Sequence, residues 1–491
     1  MAISVNSIWE IRTSADAGNV GGGFFVEGAS GSDFSQQNSP QYALTGVTSA
    51  GAGNTILTAS AAADMVGNGI KVISGTNFTV SWFEITSVSV GVSITCSTNA
   101  AGTAISIGVG ASGVMNVGGA ISLGTSGASG DDDVFEASAV GNTFYVKLGT
   151  YTIGETVSII LSGAGANPIK VYGYQTTRGD NPTGANRPTF ALGANLFASG
   201  AGWYWKNLIL TGTGTNVFNI SSGEILVVNI KATNTSTSIS RNAFIGTGGD
   251  SMAFNCEAIS YRGNGFSTSG RMSIMGCYIH DSSIGILDTG TVIATFIYNI
   301  IESCVTAAIR FSGVKSNLSI VENNTLYGSE NTTGIGIDIT AAGAVNFRTI
   351  NNIIYGFATG VSHVDANTEG FDDYNDYFNN DNDVNAAANW QKGSKDVAIN
   401  PSFTGVAQLT GTTATTSGSV LTQSDGDFST VVDGRDFLYL VSGTGITAGI
   451  YGITAHTSTT ITLDIAPGTD ATADKVWQIT TGRNFAITGA I

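Results

Sequence analysis

Between residues 200 and 400 the chain alternates short apolar stretches with small polar residues at a loosely regular interval. In order, the elements read YWKNLIL, LVVNIKA, AFNCEAI, IMGCYIH, FIYNIIE, VENNTLY, TINNIIY and DDYNDYF. Each sets Asn or Cys just after an apolar or aromatic run, with apolar residues usually resuming one to three places later. With Asn207, Asn229, Cys256, Cys277, Asn299, Asn324, Asn352 and Asn375 as markers, the intervals are 22, 27, 21, 22, 25, 28 and 23 residues. The adjacent pair Asn323 and Asn324 leaves one register open by a residue. A period in the low twenties with insertions predicts a solenoid. Because each repeat holds strand-length runs, the solution is a parallel β-helix, with equivalent residues of successive turns stacked about 4.8 Å apart. Inward Asn side chains then bond along the column and to turn backbone, and Cys is small enough for the same slot.

A second column supports this register. Some nine to thirteen residues after a marker stands a small residue followed by an apolar one: Gly265-Phe266, Gly285-Ile286, Ala308-Ile309, Gly336-Ile337 and Gly360-Val361. Glycine suits a tight corner, and the apolar residue opens another inward-facing strand. Earlier coils are predicted in NTFYVKLGTYTI (142–153) and NPIKVYGYQTT (167–177).

Outside the ladder the pattern is alternating β with Gly-rich turns, and it occurs twice. SGTNFTVSWFEIT (74–86) aligns without gaps with SGTGITAGIYGIT (442–454). Ser74, Gly75, Thr76, Thr79, Ile85 and Thr86 match Ser442, Gly443, Thr444, Thr447, Ile453 and Thr454. Upstream, LTAS (57–60) answers LTQS (421–424); downstream, SITC (93–96) answers TITL (460–463). Matching apolar as well as turn positions point to two related sandwich-like or barrel-like modules. The expected division is an N-terminal module over 1–125 with an irregular leader (repeat copy about 55–105), a β-helix over 126–405 and a C-terminal module over 406–491.

Composition agrees with an all-β chain. It holds 66 Gly and 6 Pro in 491 residues with 11% charged residues, a profile poor in helix formers, while 42% hydrophobic residues suffice for a core. A net charge of −17 argues against nucleic acid as a partner and leaves room for a divalent cation. The opening MAISVNSIWEIRTS lacks the basic and apolar regions of a signal peptide, and no segment has the apolar length of a membrane span. Synthesis in a cytoplasm without membrane insertion is therefore expected. Cys96, Cys256, Cys277 and Cys304 form no metal-ligand pairs and are expected as buried free thiols.

NTFYVKLGTYTI, then IKVYGYQTTRGDNPTGANRPTF, the Asn/Cys ladder and finally DYNDYF…KDVAINPSF resemble the right-handed parallel β-helix of the pectate-lyase-like (pectin lyase-like) superfold, over roughly residues 130–405. Small β modules around such a body, in a Gly/Ser/Thr/Ala-rich chain, resemble virion components of tailed bacteriophages: capsid decoration proteins, head or tail fibres, and tailspikes. That resemblance implies a virion location, other virion proteins as partners, a homo-oligomer such as a trimer, and a host surface glycan as a ligand. Open β-helix ends need closing, so the flanking modules are expected to cap, to dock, or both.

For chemistry, a lyase needs a Ca²⁺-binding acidic group and a base, and a hydrolase needs paired carboxylates. FDDYNDYFNNDNDVN (371–385) carries Asp372, Asp373, Asp376, Asp381 and Asp383, oxygen ligands dense enough for a structural Ca²⁺ but equally typical of turns. Three residues after their markers stand His280, Glu302, Tyr327 and Tyr355, a predicted stripe in which His280 and Glu302 suit acid–base work and the tyrosines suit sugar rings. Asp288 and Arg310 share an offset of eleven and are predicted to pair. No strong catalytic constellation emerges; Arg178-Gly179-Asp180 reads as a loop, and triplets such as Asn219-Ile220-Ser221 follow from composition. The favoured expectation is a non-enzymatic virion surface protein for stabilisation or host attachment, with a carbohydrate-active β-helix enzyme, such as a depolymerising tailspike, as the alternative.

Overall fold

In the strand Thr143–Lys147, Phe144 and Val146 are buried while Thr143, Tyr145 and Lys147 face outward, and the same period of two recurs in Trp203–Lys206 and Leu226–Val228. Such strands pair parallel with their counterparts in the next turn, which makes a β-helix. The computed structural model describes residues 8–13, 42–99, 101–118, 135, 138–154, 156–159, 167–194, 196–220, 223–236, 238, 241–315, 317–340, 346–363, 369–386, 390–399, 401, 403–404, 407–431, 437–481 and 486–487. Regular structure among them is strands, apart from short 3-10 turns such as Ala63–Met65 and Gly184–Asn186. Two compact units divide the chain: Met1–Ala232 with Gly248–Cys256, and Thr233–Thr247 with Glu257–Ile491. The borders expected at 125/126 and 405/406 lie outside the described residues.

In the first unit, Ile8–Ile11, Thr143–Lys147, Ile169–Tyr174, Trp203–Lys206, Leu226–Val228 and Ser251–Phe254 form one parallel sheet in that order. Thr150–Thr152, Thr189–Gly193 and Ile209–Gly212 stack as a second series, and Val157–Ser158, Phe197–Ala198 and Asn216–Asn219 as a third. The interior is aromatic: Trp203 and Trp205 stack at 5.2 Å, and Phe135 meets both rings edge-on.

The N-terminal leader is corrected here. Ile8–Ile11 belongs to the β-helix, its Trp9 paired with Phe144 although more than a hundred residues separate them. Trp9 and Ile11 bury apolar surface, a gain the coil offers and an irregular leader does not, and the buried Glu10 is paired with Arg12 and Arg178.

Tyr42–Ala50, Thr55–Leu57, Gly69–Phe78, Trp82–Ser89, Ser93–Cys96 and Ser106–Val117 close into a barrel in the same unit. Counted along the chain, its strands lie in the order first, second, fifth, fourth, third, sixth. Trp82 of this barrel packs edge-on against Trp9 at 5.5 Å, so the barrel meets the first rung.

The second unit holds a barrel of identical strand order, built from Ala407–Ser417, Val420–Thr422, Phe437–Ser442, Gly449–His456, Thr460–Leu463 and Asp470–Thr481. Ile85 pairs with Cys96 in one barrel and Ile453 with Leu463 in the other. Thr86 Oγ1 donates to the Thr95 carbonyl at 3.1 Å, and Thr454 Oγ1 to that of Thr462 at 3.2 Å. One part of the alignment shifts. Ile56 pairs with Ile94, and Leu421 with Ile461, so Leu421 answers Ile56 and not Leu57. Burial decides it: Ile56 and Leu421 are both 0% exposed, whereas Leu57 is 38% exposed. Unlike its N-terminal copy, this barrel lies against the flank of coils in its own unit. Its strand Gly449–His456 meets Glu257–Thr268 and Tyr278–Asp288, and Arg262 stands 5.1 Å over the Tyr451 ring.

Coils of the second unit run through the long strands Glu257–Thr268, Tyr278–Asp288, Ile300–Phe311, Thr325–Ile339 and Ile353–His363. Phe266, Ile286, Ile309, Ile337 and Val361 align in one buried column. Gly285 is required by close approach and not by a turn: a Cβ there would lie 2.5 Å from the Ala308 carbonyl oxygen.

The polar ladder is continuous through Asn299, Asn324, Asn352 and Asn375. Each side-chain oxygen accepts the backbone N–H of the preceding marker, beginning with Cys277, at 2.9–3.0 Å. Each side-chain NH₂ in turn donates to a backbone carbonyl at 2.9 Å. Cys256 and Cys277 are buried in the same slot. For Asn207 and Asn229 the register shifts by one. Both adopt left-handed φ (61° and 52°), as do Asn255, Tyr298, Asn323 and Asn351 just before later markers. The inward slot of those two coils is filled by Leu208 and Ile230, both 0% exposed. Asn suits the left-handed corner and the inward slot for different reasons, so residue type alone does not separate them.

Candidate functional site

The stripe predicted at offset three exists as aligned backbone: His280 pairs with Glu302, Glu302 with Tyr327, and Tyr327 with Tyr355. On Tyr278–Asp288, Ile279 points inward, leaving Tyr278 and His280 on the other face with rings stacked at 4.2 Å. His280 meets two carboxylates. Its Nδ1 lies 2.6 Å from Asp281 Oδ2 and its Nε2 3.3 Å from Glu257 Oε1, while the Tyr278 hydroxyl donates a hydrogen bond to Glu302 Oε1. Two carboxylates flanking one imidazole hold the ring in place. His280, Asp281 and Glu302 are 5%, 1% and 0% exposed, so these groups face each other and not bulk solvent.

Glu257, Tyr278 and Asp281 were missed. Glu257 and Tyr278 follow their markers by one residue, and a strand's period of two places offsets one and three on the same face. Parity was the available signal. Asp281 takes φ 50°, an irregularity of the backbone with no sequence signature of its own.

Tyr327, Tyr355 and Phe378 stack nearly parallel at 5.2 and 5.8 Å. Both π faces of Tyr355 are covered by its neighbours, and Tyr327 and Phe378 each turn one face to it.

Asp288 and Arg310 do not pair. One extra residue enters between the pairs Ser282–Cys304 and Ile284–Ala307, so Asp288 aligns with Phe311 and Arg310 with Leu287. Asp288 instead meets Lys315 at 2.6 Å, and Arg310 meets Asp338 at 2.7 Å.

The acidic stretch is dispersed by its hydrogen bonds. Asp372 accepts from Tyr377 at 2.8 Å, from Thr349 at 3.2 Å and from Asn375. Asp373 and Asp376 accept the backbone N–H groups of Lys395 and Ile399 at 2.9 and 2.8 Å, and Asp381 is exposed with Asp383 half-buried. Among the described residues no group of three or more His, Cys, Asp or Glu is placed to hold a metal ion. These carboxylates tie the last coils together.

Burial, reinforced by the Asp396 charge, lifts the Asp372 carboxyl to about 6. A folded-state value above the ordinary one contributes stability that is full below about pH 4 and lost as pH rises through 6. Acidifying from pH 7 to 4.5 is therefore expected to tighten these coils by on the order of 2–3 kcal/mol, read as slower amide exchange at Asn375 and Tyr377. Burial raises Asp376 and Asp396 as well, so Asp372→Asn should diminish the effect without removing it. Exchange that is indifferent to pH over this window, after correction for its intrinsic rate, would refute the assignment.

In the Arg178-Gly179-Asp180 loop, Arg178 bonds Glu10 at 2.8 Å, and Asp180 accepts the N–H groups of Gln175, Thr176 and Thr177. Both side chains are engaged by the fold. The four cysteines are free and buried, and burial pushes the Cys96 and Cys304 thiols up, away from reactive thiolate. Among the described residues no helix is long and apolar enough to cross a membrane.

No family model matches the chain. No curated protein matches it either. Among solved structures it is similar to a pectate lyase, with 16% identity over 54% of this chain and 74% of that one and a TM-score of 0.31. It is also similar to a PL6 family polysaccharide lyase from Pseudopedobacter saltans, with 12% identity over 54% and 75% and a TM-score of 0.33. The tailspike of Pseudomonas phage phi297 covers more of it, with 12% identity over 89% and 80% and a TM-score of 0.25. At these values the likeness assigns no activity.

Proposed function

We propose that this chain is a structural surface protein of a tailed-phage virion, a capsid decoration protein, head fibre, tail fibre or spike. Its β-helix is a rigid body presented for particle stabilisation or host attachment. The observation that carries this reading is the duplicated barrel. Two copies share strand order and the same Thr-to-carbonyl bond, yet one meets the first rung of the β-helix through Trp82 while the other lies on the flank of coils in its own unit. A duplicated module in two settings suits an assembled component with separate tasks of capping and docking. On this reading the chain is made in the host cytoplasm, assembles as a homo-oligomer, such as a trimer, and contacts other virion proteins. Mass spectrometry of purified particles, with antibody labelling in electron microscopy, should place the chain on the virion. Its absence from intact particles would sink the proposal.

A second reading, a carbohydrate-active enzyme, is favoured by one observation: His280 lies between two carboxylates beside the Tyr278–Glu302 pair. Purified protein incubated with acidic and neutral polysaccharides is expected to release no reducing ends or unsaturated products above background. Release that disappears in His280→Ala and Glu302→Gln proteins would establish the enzyme instead.

A further inference from the structure

Three successive rungs of the first unit each turn one tyrosine and one lysine outward: Tyr145 with Lys147, Lys170 with Tyr172, and Tyr204 with Lys206. Pairing aligns Tyr145 with Tyr172, Tyr172 with Lys206, and Lys170 with Tyr204, so rings and ammonium groups interleave over one sheet face. All six are half-buried, and among the described residues the three lysines form no ion pair.

The rings differ from the Tyr327–Tyr355 stack. Tyr172 and Tyr204 meet edge-to-face at 84°, and Tyr145 is tilted 59° from Tyr172, so no two of these rings stack face to face. Arg178 lies 4.5 Å over the Tyr145 ring. Burial pushes the Tyr172 phenol up to about 12, keeping it a neutral donor at any physiological pH.

Charge is also distinctive here. Lys147, Lys170 and Lys206 give this face three positive charges without an ion-pair partner among the described residues in a chain of net −17, while Arg178 is neutralised by Glu10 and Arg187 is buried. A basic patch on an acidic protein draws anions to that face.

We infer that this face binds an acidic polysaccharide, with pyranose rings against the tyrosines and sugar carboxylates on Lys170 and Lys206. An open sheet face suits an extended polymer better than a compact ligand needing a pocket. Aromatic platforms beside ammonium groups match a ring bearing a carboxylate. A nucleic acid shares the charge, but the field of the remaining acidic surface opposes a long polyphosphate. The inference deepens the attachment reading by naming what the presented face would meet, and rests on it only for the polymer's source.

Full-length protein titrated with oligogalacturonate, with its fully methyl-esterified counterpart and with a single-stranded oligonucleotide tests this. The acid form is expected to bind, more weakly at high salt, and the ester to bind at least roughly tenfold more weakly. Lys170→Gln combined with Lys206→Gln should cost roughly tenfold or more, with the melting temperature kept because both side chains point outward. Tyr172→Ala should weaken binding and Tyr172→Phe retain most of it. Failure of the acid form to bind, equal binding of the ester, indifference to the lysine changes, or equally tight binding of the oligonucleotide would each overturn the inference. The particle reading is judged separately by virion composition, so either can fail alone.

Discussion

An Asn324→Ala protein is expected to lose about 3–5 kcal/mol of stability, among the largest effects available from one side chain in this fold. Asn324 makes four side-chain bonds inside the coil. Its oxygen accepts from the Asn299 backbone N–H at 2.9 Å and from the Asn299 side chain at 3.0 Å. Its NH₂ donates to the Phe296 carbonyl at 2.9 Å and to the Asn352 oxygen at 3.0 Å. Alanine removes all four where water does not enter, and each buried polar group left without a partner costs about 1–3 kcal/mol. The loss should be local, because a solenoid couples mainly to its nearest turns. Urea unfolding reads the total, and amide exchange should accelerate first at Asn299. Asn323→Ala is the control: that side chain points outward at φ 56°, and its replacement should cost about 1 kcal/mol. Equal costs for the two substitutions would remove the ladder from the account of stability.

Lys315→Met should destabilise by a similar 3–5 kcal/mol at neutral pH. Lys315 and Asp288 are each 1% exposed and 2.6 Å apart. Lys315 also donates to the Gly290 carbonyl at 2.7 Å, and Asp288 accepts the Gly290 N–H at 2.8 Å. Burial already pushes the Asp288 carboxyl up and the Lys315 ammonium down. Without the lysine, Asp288 becomes an uncompensated buried charge, and its folded-state pKa rises further. The sign follows: the loss should shrink as pH falls and Asp288 takes up a proton, and grow as pH rises. Adding Asp288→Asn should recover much of the stability, since removing both charges avoids stranding one. A loss independent of pH, or a double variant as weak as the single one, would mean that Lys315 acts through packing on Phe311 and not through charge.

The β-helix was legible because its signal is local and repeated. Asn299, Asn324, Asn352 and Asn375 each follow an apolar run, and each does the same job. Asn207 and Asn229 show the limit of that signal, since a left-handed corner and an inward slot select the same residue type one position apart. Asp288 and Arg310 show another. A single extra residue between Cys304 and Ala307 displaces the whole downstream register, and no composition announces it. At the candidate site, the His280–Glu302 alignment followed from counting, but the actual bonds to Asp281, Glu257 and Tyr278 depend on side-chain direction.

By itself the sequence determined the β class, the parallel coil and the doubling of the outer module, because all three are written in short-range periodicity and matched apolar positions. The tertiary structure decided what periodicity does not encode. It brought Ile8–Ile11 across the first barrel to become a rung, replaced the expected Asp288–Arg310 pair with two others, and set one barrel on Trp9 and its twin beside Arg262. It also gathered a tyrosine–lysine face from residues some thirty positions apart. Those outcomes turn on which buried surface gains most by meeting which other, a comparison between segments distant along the chain.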